Sequence, residues 1–368
     1  MVFEPVASVP REPAKGRLPL MKSVAVQVLK VSAATVVVLY LWARGDIAWE
    51  PLREALGRWE QSLPAFLLLS TMPLVQFWRW QSLLRANRLH LPHREVFSFL
   101  MVSKFFNMAF PGYISGDILR GFYVSRRASE YEGAGQPGEP RELGEPSTRV
   151  VPPAVVASIV LDRIAGLVPL FALCLIGLFG LLSYPIPREM TVSVGALAAV
   201  GLLAPLALFL LTYGRPQPAA LLGWLARWPR LTQFVSAFYE GAHRYARNLK
   251  LIRNILAFSF LNQGLAIVSF VLFGWALRID APVMSYFLLV PLGLLVTAVP
   301  VSPAGLGVGQ VAFLALFHLV GTAQGANLFT LYMASYVVIN LTGALLYLFP
   351  VHAAMPTHPA GAAKIQTE

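Results

Sequence analysis

The chain has 368 residues, of which 57% are hydrophobic and only 13% are charged, and its formal net charge is +11. A soluble domain carries about a quarter of its residues as Asp, Glu, Lys and Arg, so the composition excludes an ordinary soluble protein. The apolar residues lie in long runs, and a helix needs about 20 of them to cross a bilayer, so we predict an all-α polytopic membrane protein.

The N-terminal segment 1–22 is predicted to be cytoplasmic, because its basic residues outnumber its acidic ones. It has no signal-peptide cleavage pattern, so the first apolar run should stay in the membrane as a helix. A single transmembrane domain is expected over 23–350, followed by a short cytoplasmic tail over 351–368.

Within this domain, about six apolar runs are long enough to cross the membrane completely. In chain order they occupy 23–43, 63–80, 154–183, 191–213, 254–277 and 327–350. Two further apolar stretches, at 96–124 and 283–320, are interrupted by Pro and Gly. These two are predicted to be re-entrant hairpins, for the following reasons.

The first interrupted stretch is predicted to enter the membrane and return to the same side. The later connection 214–253 is strongly basic, and the positive-inside rule therefore makes it cytoplasmic. If the first stretch crossed the membrane once, the number of crossings before this connection would place it outside. A hairpin that returns to its side of entry places the connection in the cytoplasm. We therefore predict two arms, 97–110 and 114–124, with Pro111 and Gly112 at the turn.

The segment 129–153 follows this hairpin and has a different composition. It is rich in Gly, Pro and Glu and poor in large apolar residues. Such a segment cannot bury enough apolar surface to fold alone. It is predicted to be a disordered cytoplasmic loop within the transmembrane domain, with no chemistry of its own.

The second interrupted stretch, 283–320, has the same plan of an apolar arm, a break and a second apolar arm. Parity places the ends of this hairpin outside, so one broken hairpin opens from each side of the membrane. Paired Gly and Pro interruptions in two halves indicate inverted repeats with a site at the midplane. Short helices with ordinary kinks are the alternative. The break contains Pro300, Ser302, Pro303, Gly305, Gly307 and Gly309.

The excess of positive charge does not indicate a nucleic-acid partner. The Lys and Arg residues cluster in the connections between apolar runs, which is the orientation signal of membrane proteins. The single cysteine, Cys174, lies inside an apolar run, which excludes an intrachain disulfide and a Cys/His metal cluster. We therefore expect no nucleic acid, no metal and no cofactor.

Charged residues stand inside the predicted membrane segments, where each costs at least about 2.5 kcal/mol and needs a partner or a water-filled cavity. Asp117 and Arg120 are three residues apart and so share one helix face. One interpretation is a capped helix start, with Ser115 as the N-cap and Asp117 at the positive end of the helix dipole. The other is an anion site, since an arginine and free N–H groups together suit a phosphate.

A second charged pair lies in the run that begins at 154. Asp162 and Arg163 are adjacent, so their side chains leave the helix in different directions and each needs its own partner. We expect one of them to meet Arg120 or Asp117 across helices. Lys104 has two interpretations, because its ammonium either extends to the membrane interface or contacts a lipid head group.

Three blocks of sequence carry a family resemblance. FFNMAFPGYISGDILRGFYVSRR, ASIVLDRIAGL and PVSPAGLGVGQVAF resemble the signature blocks of the lysylphosphatidylglycerol synthase transmembrane-region family of flippase-like membrane proteins. The resemblance covers about 20–350. The first block holds Asn107, Pro111, Gly116, Asp117 and Arg120, the second holds Asp162 and Arg163, and the third holds Pro300, Ser302, Gly305, Gly307 and Gln310.

This resemblance implies a multi-pass protein of a bacterial or archaeal inner membrane. In the best-known members, the region is fused to a soluble aminoacyl-transferase domain. We expect no such domain in this chain, so we do not expect it to make an aminoacyl lipid itself.

The first hypothesis for function is a flippase-like lipid translocase with no catalytic residue. It would move an anionic phospholipid or a polyprenyl-phosphate-linked lipid, with Arg120 and Arg163 holding the head group and Asp117 and Asp162 orienting those arginines. The alternatives are an integral membrane transferase that uses a lipid-linked donor, and a non-transporting partner of cell-envelope biosynthesis enzymes. The predicted binding residues are Lys104, Asn107, Asp117, Arg120, Asp162, Arg163, Ser302 and Gln310, and the predicted turn residues are Pro111, Gly112, Gly116, Pro300, Pro303, Gly305 and Gly307.

Overall fold

The computed structural model describes residues 47–109, 115–133, 153–180, 188–214, 227–299 and 301–349, preceded by helical positions within 32–43. Every regular element in these ranges is a helix, so the all-α prediction is confirmed there. Three of the predicted turn residues, Pro111, Gly112 and Pro300, lie outside the described residues, as do both predicted cytoplasmic ends.

The first half of the described chain forms six helices. They are α1 (Trp49–Gly57), α2 (Trp59–Ala86), α3 (His93–Ala109), α4 (Ser115–Gly133), α5 (Pro153–Gly180) and α6 (Arg188–Gly214). The predicted loop 129–153 is shorter in the structure, because α4 continues through Gly133 and α5 begins at Pro153. The part of it between these helices lies outside the described residues.

The second half repeats the alternation of long and short helices. Its elements are α7 (Pro229–Ala246), α8 (Leu249–Ala276), α9 (Val283–Thr297), a short 3-10 helix (Pro303–Gly305), α10 (Val308–His318) and α11 (Gly325–Leu348).

Four helices of the described chain are long and apolar enough to cross a membrane. They are Val155–Gly180, Thr191–Gly214, Leu249–Ala276 and Gly325–Leu348, and they coincide with four of the six predicted crossings. The α6 helix shows this character most clearly, since Leu203, Leu210 and Leu211 expose 60%, 58% and 66% of their surface. An apolar helix with so little packing is typical of a lipid-facing span.

A helix–turn–helix unit occurs twice with matching geometry. Helices α2 and α8 each have 28 residues, and each is followed by an arginine with positive φ, Arg88 at 62° and Arg278 at 57°. The N–H of Leu89 donates to Leu84 O, and the N–H of Ile279 donates to Gly274 O, so both helices end in the same Schellman-type cap. Helices α3 and α9 then begin directly after a proline.

The two units run in opposite directions. Arg58, at the N-terminal end of α2, contacts the Ala276 carbonyl at the C-terminal end of α8. Further along, Gln76 Nε2 donates to Asn262 Oδ1 at 3.1 Å. Helices α2 and α8 are therefore antiparallel neighbours, and the second helix–turn–helix unit is inverted with respect to the first.

The arms of the first interrupted stretch pack against each other as an antiparallel pair. Near the open end, Arg127 donates to both oxygens of Glu95, and Phe99 stacks on Tyr123 with ring centroids 5.2 Å apart. Near the break, a Cβ at Gly116 would overlap the Ser103 carbonyl group. Only glycine permits α3 and α4 to approach this closely.

The arms of the second interrupted stretch are likewise antiparallel. Tyr286 of α9 packs edge-on against Phe317 of α10, with centroids 5.3 Å apart. At the break, Gly305 has φ of 75° and lies against Thr297, while Gly307 has φ of 81°. An L side chain is strained at such angles, which explains the two glycines.

Candidate functional site

A cavity of about 630 Å³ lies between the two halves of the helical bundle. Its walls come from α2, α3, α4, α5, α8, α9, α11 and the 3-10 helix, so residues distant in sequence meet there. The volume falls within the range of about 300–1,000 Å³ that is usual for small-molecule sites. The charged residues of the cavity lie mainly on the first half.

Asp162 of α5 is buried in the wall of this cavity and pairs with two arginines. Arg79 of α2 donates its Nε–H to Asp162 Oδ1 at 2.7 Å, and Arg120 of α4 donates from both terminal nitrogens to Oδ2 at 3.4 Å. The Arg79 guanidinium also donates to Ser259 Oγ of α8 at 3.0 Å. This one carboxylate therefore connects three helices around the cavity.

The Arg79 guanidinium lies against α5 at Gly166. This residue follows Asp162 by one turn, and a Cβ built on it would be 3.5 Å from a terminal nitrogen of Arg79, an ordinary van der Waals distance. Arg79 itself was missed as a site residue, because an arginine at the end of an apolar run looks like an orientation signal.

Arg120 occupies the centre of the charged cluster. Its side chain is 3% exposed and pairs with Asp162 and, at 3.4 Å, with Asp117 Oδ1 one turn away on α4. The guanidinium also lies over the Trp80 ring, 4.6 Å from its centroid, in a cation–π contact. Its Nε is buried and has no hydrogen-bond partner among the described residues.

Arg163 of α5 completes the cluster on the open side. Its Nε donates to Asp117 Oδ2 at 2.8 Å, and one terminal nitrogen lies 2.7 Å from the same oxygen. The side chain of Arg163 is 46% exposed, whereas that of Asp117 is 14% exposed. The cross-helix pairing that we expected between the two charged pairs is therefore present twice, as Asp162–Arg120 and Arg163–Asp117.

These five residues alternate in sign along one continuous line, which we call the arginine–aspartate chain. Its order is Arg79, Asp162, Arg120, Asp117 and Arg163. Each of its two aspartates contacts two arginines. The first and last residues of this line of charges are both arginines.

The capping interpretation of Ser115 and Asp117 fits the structure poorly. The Ser115 hydroxyl donates to Phe106 O at 3.2 Å instead of receiving the N–H groups of the first turn. The N–H of Gly116 donates to Asn107 Oδ1 at 2.9 Å. Both Asp117 oxygens face arginines, so Asn107 satisfies the helix start and Asp117 belongs to the arginine–aspartate chain.

Lys104 of α3 faces the cavity, which does not fit an ammonium that extends to the membrane interface. Its ammonium donates to Gln76 Oε1 at 2.8 Å and lies 5.7 Å from the centroid of the Tyr336 ring. The side chain is therefore directed into the bundle and is not extended toward an interface. Gln76 in turn donates to Asn262, so a line of amides extends the polar wall from Lys104.

Two predicted binding residues of the second hairpin do not line the cavity. The Gln310 side chain accepts a hydrogen bond from Gly307 N at 2.7 Å and so caps the start of α10. Ser302 is buried, and its hydroxyl has no partner among the described residues. The hairpin reaches this cavity through Leu294, Thr297, Ala298 and Ala304, and a role of Ser302 and Gln310 in binding stays a prediction.

Sequence reasoning gave little weight to several uncharged polar residues of the cavity. The signal that could have found Asn262 and Asn340 is a polar residue inside an apolar run, although such residues often serve helix–helix hydrogen bonds. No group of three or more His, Cys, Asp or Glu side chains in the described ranges could hold a metal ion. The polar cavity residues not predicted as binding are Gln76, Arg79, Ser103, Asn262, Gln263, Thr297, Tyr332, Tyr336 and Asn340.

One comparison with known proteins gave a match. A family model described as the lysylphosphatidylglycerol synthase TM region matches residues 27–344. The comparisons with curated proteins and with solved structures gave none. The matched range includes every residue of the arginine–aspartate chain and both interrupted hairpins.

Proposed function

The chain belongs to the lysylphosphatidylglycerol synthase transmembrane-region family, and from that premise we propose that it is a flippase-like lipid translocase. It is a multi-pass membrane protein with a polar cavity inside its helical bundle. Its cargo is an anionic phospholipid or a polyprenyl-phosphate-linked lipid, whose head group enters this cavity. The membrane is the inner membrane of a bacterium or archaeon, with both chain ends cytoplasmic.

The observation that carries this proposal is the arginine–aspartate chain. Three arginines and two aspartates line a cavity within an apolar bundle, where each unpaired charge would be costly. Arginine presents a planar fork of N–H groups that matches phosphate oxygens. Charged residues inside a membrane protein usually mark a binding site or a transport path. An anionic head group is the ligand that matches the arginines of this cluster.

The two interrupted hairpins supply the path in this proposal. We assign them as re-entrant segments that open from opposite sides. Described residues that flank each break line the cavity, namely Asn107 and Asp117 in the first and Ala298 and Ala304 in the second. The inverted arrangement of the α2–α3 and α8–α9 units supports this assignment, because inverted repeats with broken helices at a central site are typical of alternating-access transporters. The head group then faces one side through the first hairpin and the other side through the second.

Reconstitution into liposomes tests this function. We expect labelled phosphatidylglycerol and phosphatidic acid to redistribute between leaflets, without covalent change, in vesicles that contain the protein. The Arg120→Gln variant should move neither lipid, whereas Arg53→Gln, which alters an arginine with 71% exposure on α1, should match the wild type. A new lipid product would support the transferase alternative, and the absence of movement with every anionic lipid would overturn the translocase.

A further inference from the structure

We propose that the cavity selects a head group with two negative charges, either a phosphomonoester or a diphosphate, over a singly charged phosphodiester. This inference rests on the proposed function and names the substrate class of the same site. It also predicts that a positively charged head group is excluded. The argument begins with the balance of charge in the cavity wall.

The wall carries more positive than negative side chains. Its cations outnumber its anions by four to two, and the list is Arg79, Lys104, Arg120 and Arg163 against Asp117 and Asp162. The short segment 110–114, which connects α3 to α4, contains no charged residue in the sequence. The arginine–aspartate chain therefore contributes one excess positive charge, and Lys104 contributes the second.

An excess of two positive charges is unfavourable in a cavity surrounded by apolar helices, because a buried charge is stable only when it is paired. A dianion restores neutrality when it binds. A phosphodiester leaves one positive charge unbalanced, and a head group with a net positive charge increases the excess. The order of affinity should therefore follow the charge of the head group.

The hydrogen-bonding capacity of the wall points to the same ligand. Arg120 is 3% exposed and keeps a buried Nε–H with no acceptor among the described residues, which is an unusual cost for a native structure. The Lys104 ammonium has three N–H donors, and one of them serves Gln76. A phosphate group with several acceptor oxygens would accept from the remaining Lys104 donors and from the guanidinium groups that line the cavity.

The position of the charges also locates the phosphate within the cavity. All six charged residues in the described lining belong to α2, α3, α4 and α5, whereas the second hairpin contributes the uncharged Leu294, Thr297, Ala298 and Ala304. The amides of Asn262, Gln263 and Asn340 lie on α8 and α11. The phosphate should therefore bind beside the first hairpin, with the uncharged part of the head group facing the amides.

Equilibrium binding to the full chain in phosphatidylcholine nanodiscs tests the selectivity. The probes share the same acyl chains and differ in head group: phosphatidic acid, phosphatidylglycerol and lysylphosphatidylglycerol. A phosphomonoester has a second pKa of about 6, so phosphatidic acid is mainly dianionic at pH 8 and mainly monoanionic at pH 5. We expect phosphatidic acid to bind at least about tenfold more tightly than phosphatidylglycerol at pH 8, and much of this preference to vanish at pH 5.

Two outcomes would overturn the proposal. One is equal affinity for phosphatidic acid and phosphatidylglycerol at pH 8, and the other is tightest binding of lysylphosphatidylglycerol. Inorganic phosphate and diphosphate serve as competitors that distinguish a free anion from a lipid head group. If they displace phosphatidic acid at micromolar concentrations, the site belongs to a free anion and the lipid proposal fails.

Charge-removing variants give a second, independent test. Lys104→Gln and Arg163→Gln each reduce the excess to one positive charge, so each should decrease the preference for phosphatidic acid over phosphatidylglycerol. The matched control is Lys250→Gln, which changes an exposed lysine at the start of α8. A preference that stays unchanged in both cavity variants would contradict a selectivity based on total charge.

The failure of this inference is distinguishable from the failure of the proposed function. Equal transport of phosphatidic acid and phosphatidylglycerol would overturn the charge selectivity and leave the translocase intact. Selective binding of phosphatidic acid without movement of any lipid in liposomes would overturn the translocase and leave the charge selectivity intact. The binding assay and the transport assay therefore answer separate questions.

Discussion

The two interrupted hairpins have the same construction but different chemistry. In both, two antiparallel arms meet at a glycine that touches the opposite arm, Gly116 against Ser103 and Gly305 against Thr297. The first hairpin then places Asp117 and Arg120 at the cavity, whereas the second contributes only uncharged residues to the described lining. The same close packing of two helical arms therefore occurs with charged residues at the cavity in the first hairpin and without them in the second.

The largest expected effect concerns the sidedness of the two hairpins, because each is proposed to return to its side of entry. In a Cys174→Ala background, single cysteines at His90, Gly135 and Ala226 should be labelled only from the cytoplasmic side. Cysteines at Asp280 and Ala323 should be labelled only from outside. This all-or-none pattern is measured with a membrane-impermeant thiol reagent on right-side-out and inverted vesicles.

Different sidedness at His90 and Gly135, which flank the first hairpin, would convert it into an odd number of crossings. Different sidedness at Asp280 and Ala323 would do the same for the second. Either result would end the comparison between two re-entrant hairpins.

The next largest effect should follow the removal of the shared carboxylate. Asp162→Asn replaces the carboxylate that Arg79 and Arg120 share by a neutral amide, and breaking a buried ion pair typically costs about 3–5 kcal/mol. The thermal unfolding midpoint in detergent should fall sharply, and the protein should be less abundant. Asp280→Asn, an exposed control after α8, should keep the wild-type midpoint, and equal midpoints for the two variants would show that the charged cluster does not stabilise the first half.

How far the sequence predicts this arrangement depends on the range of each interaction. The membrane class, the positions of the hairpin arms and a contact between the Asp117–Arg120 and Asp162–Arg163 pairs follow from apolar run length, Pro and Gly breaks and intramembrane charge, but which residues pair does not. The Arg79–Asp162 pair joins residues 83 positions apart, and no local pattern specifies which helices become neighbours. Ser302 and Gln310 lie near a break that touches the cavity, but the direction of a side chain depends on backbone angles that the sequence does not show.

A smaller effect is expected at the break of the second hairpin. Gly305→Ala places a side chain at φ of 75° and against Thr297, and the left-handed region alone costs an L residue about 1–2 kcal/mol. The unfolding midpoint should fall by a few degrees. Gly264→Ala is the matched control, because its added Cβ meets nothing within 4 Å, and a midpoint drop of the same size there would remove the special role of the break.

The smallest effect should come from the cap of α10. Gln310→Ala removes the acceptor for the Gly307 N–H, and the loss of a helix cap typically costs about 1 kcal/mol. Because Gln310 does not line the cavity, lipid binding per folded molecule should stay at the wild-type level. A large loss of affinity in this variant, at normal abundance, would mean that the second hairpin contacts the head group after all.

The measurement that tests the central claim most directly is lipid translocation by Arg163→Gln in liposomes. The side chain of Arg163 is 46% exposed, so its replacement should leave the protein folded, as checked by its unfolding midpoint and abundance. The account predicts that redistribution of labelled phosphatidic acid slows by at least about tenfold, since a charged partner of the phosphate is lost. Wild-type translocation by both Arg163→Gln and Asp117→Asn, at normal abundance, would contradict the claim that the arginine–aspartate chain binds the transported lipid.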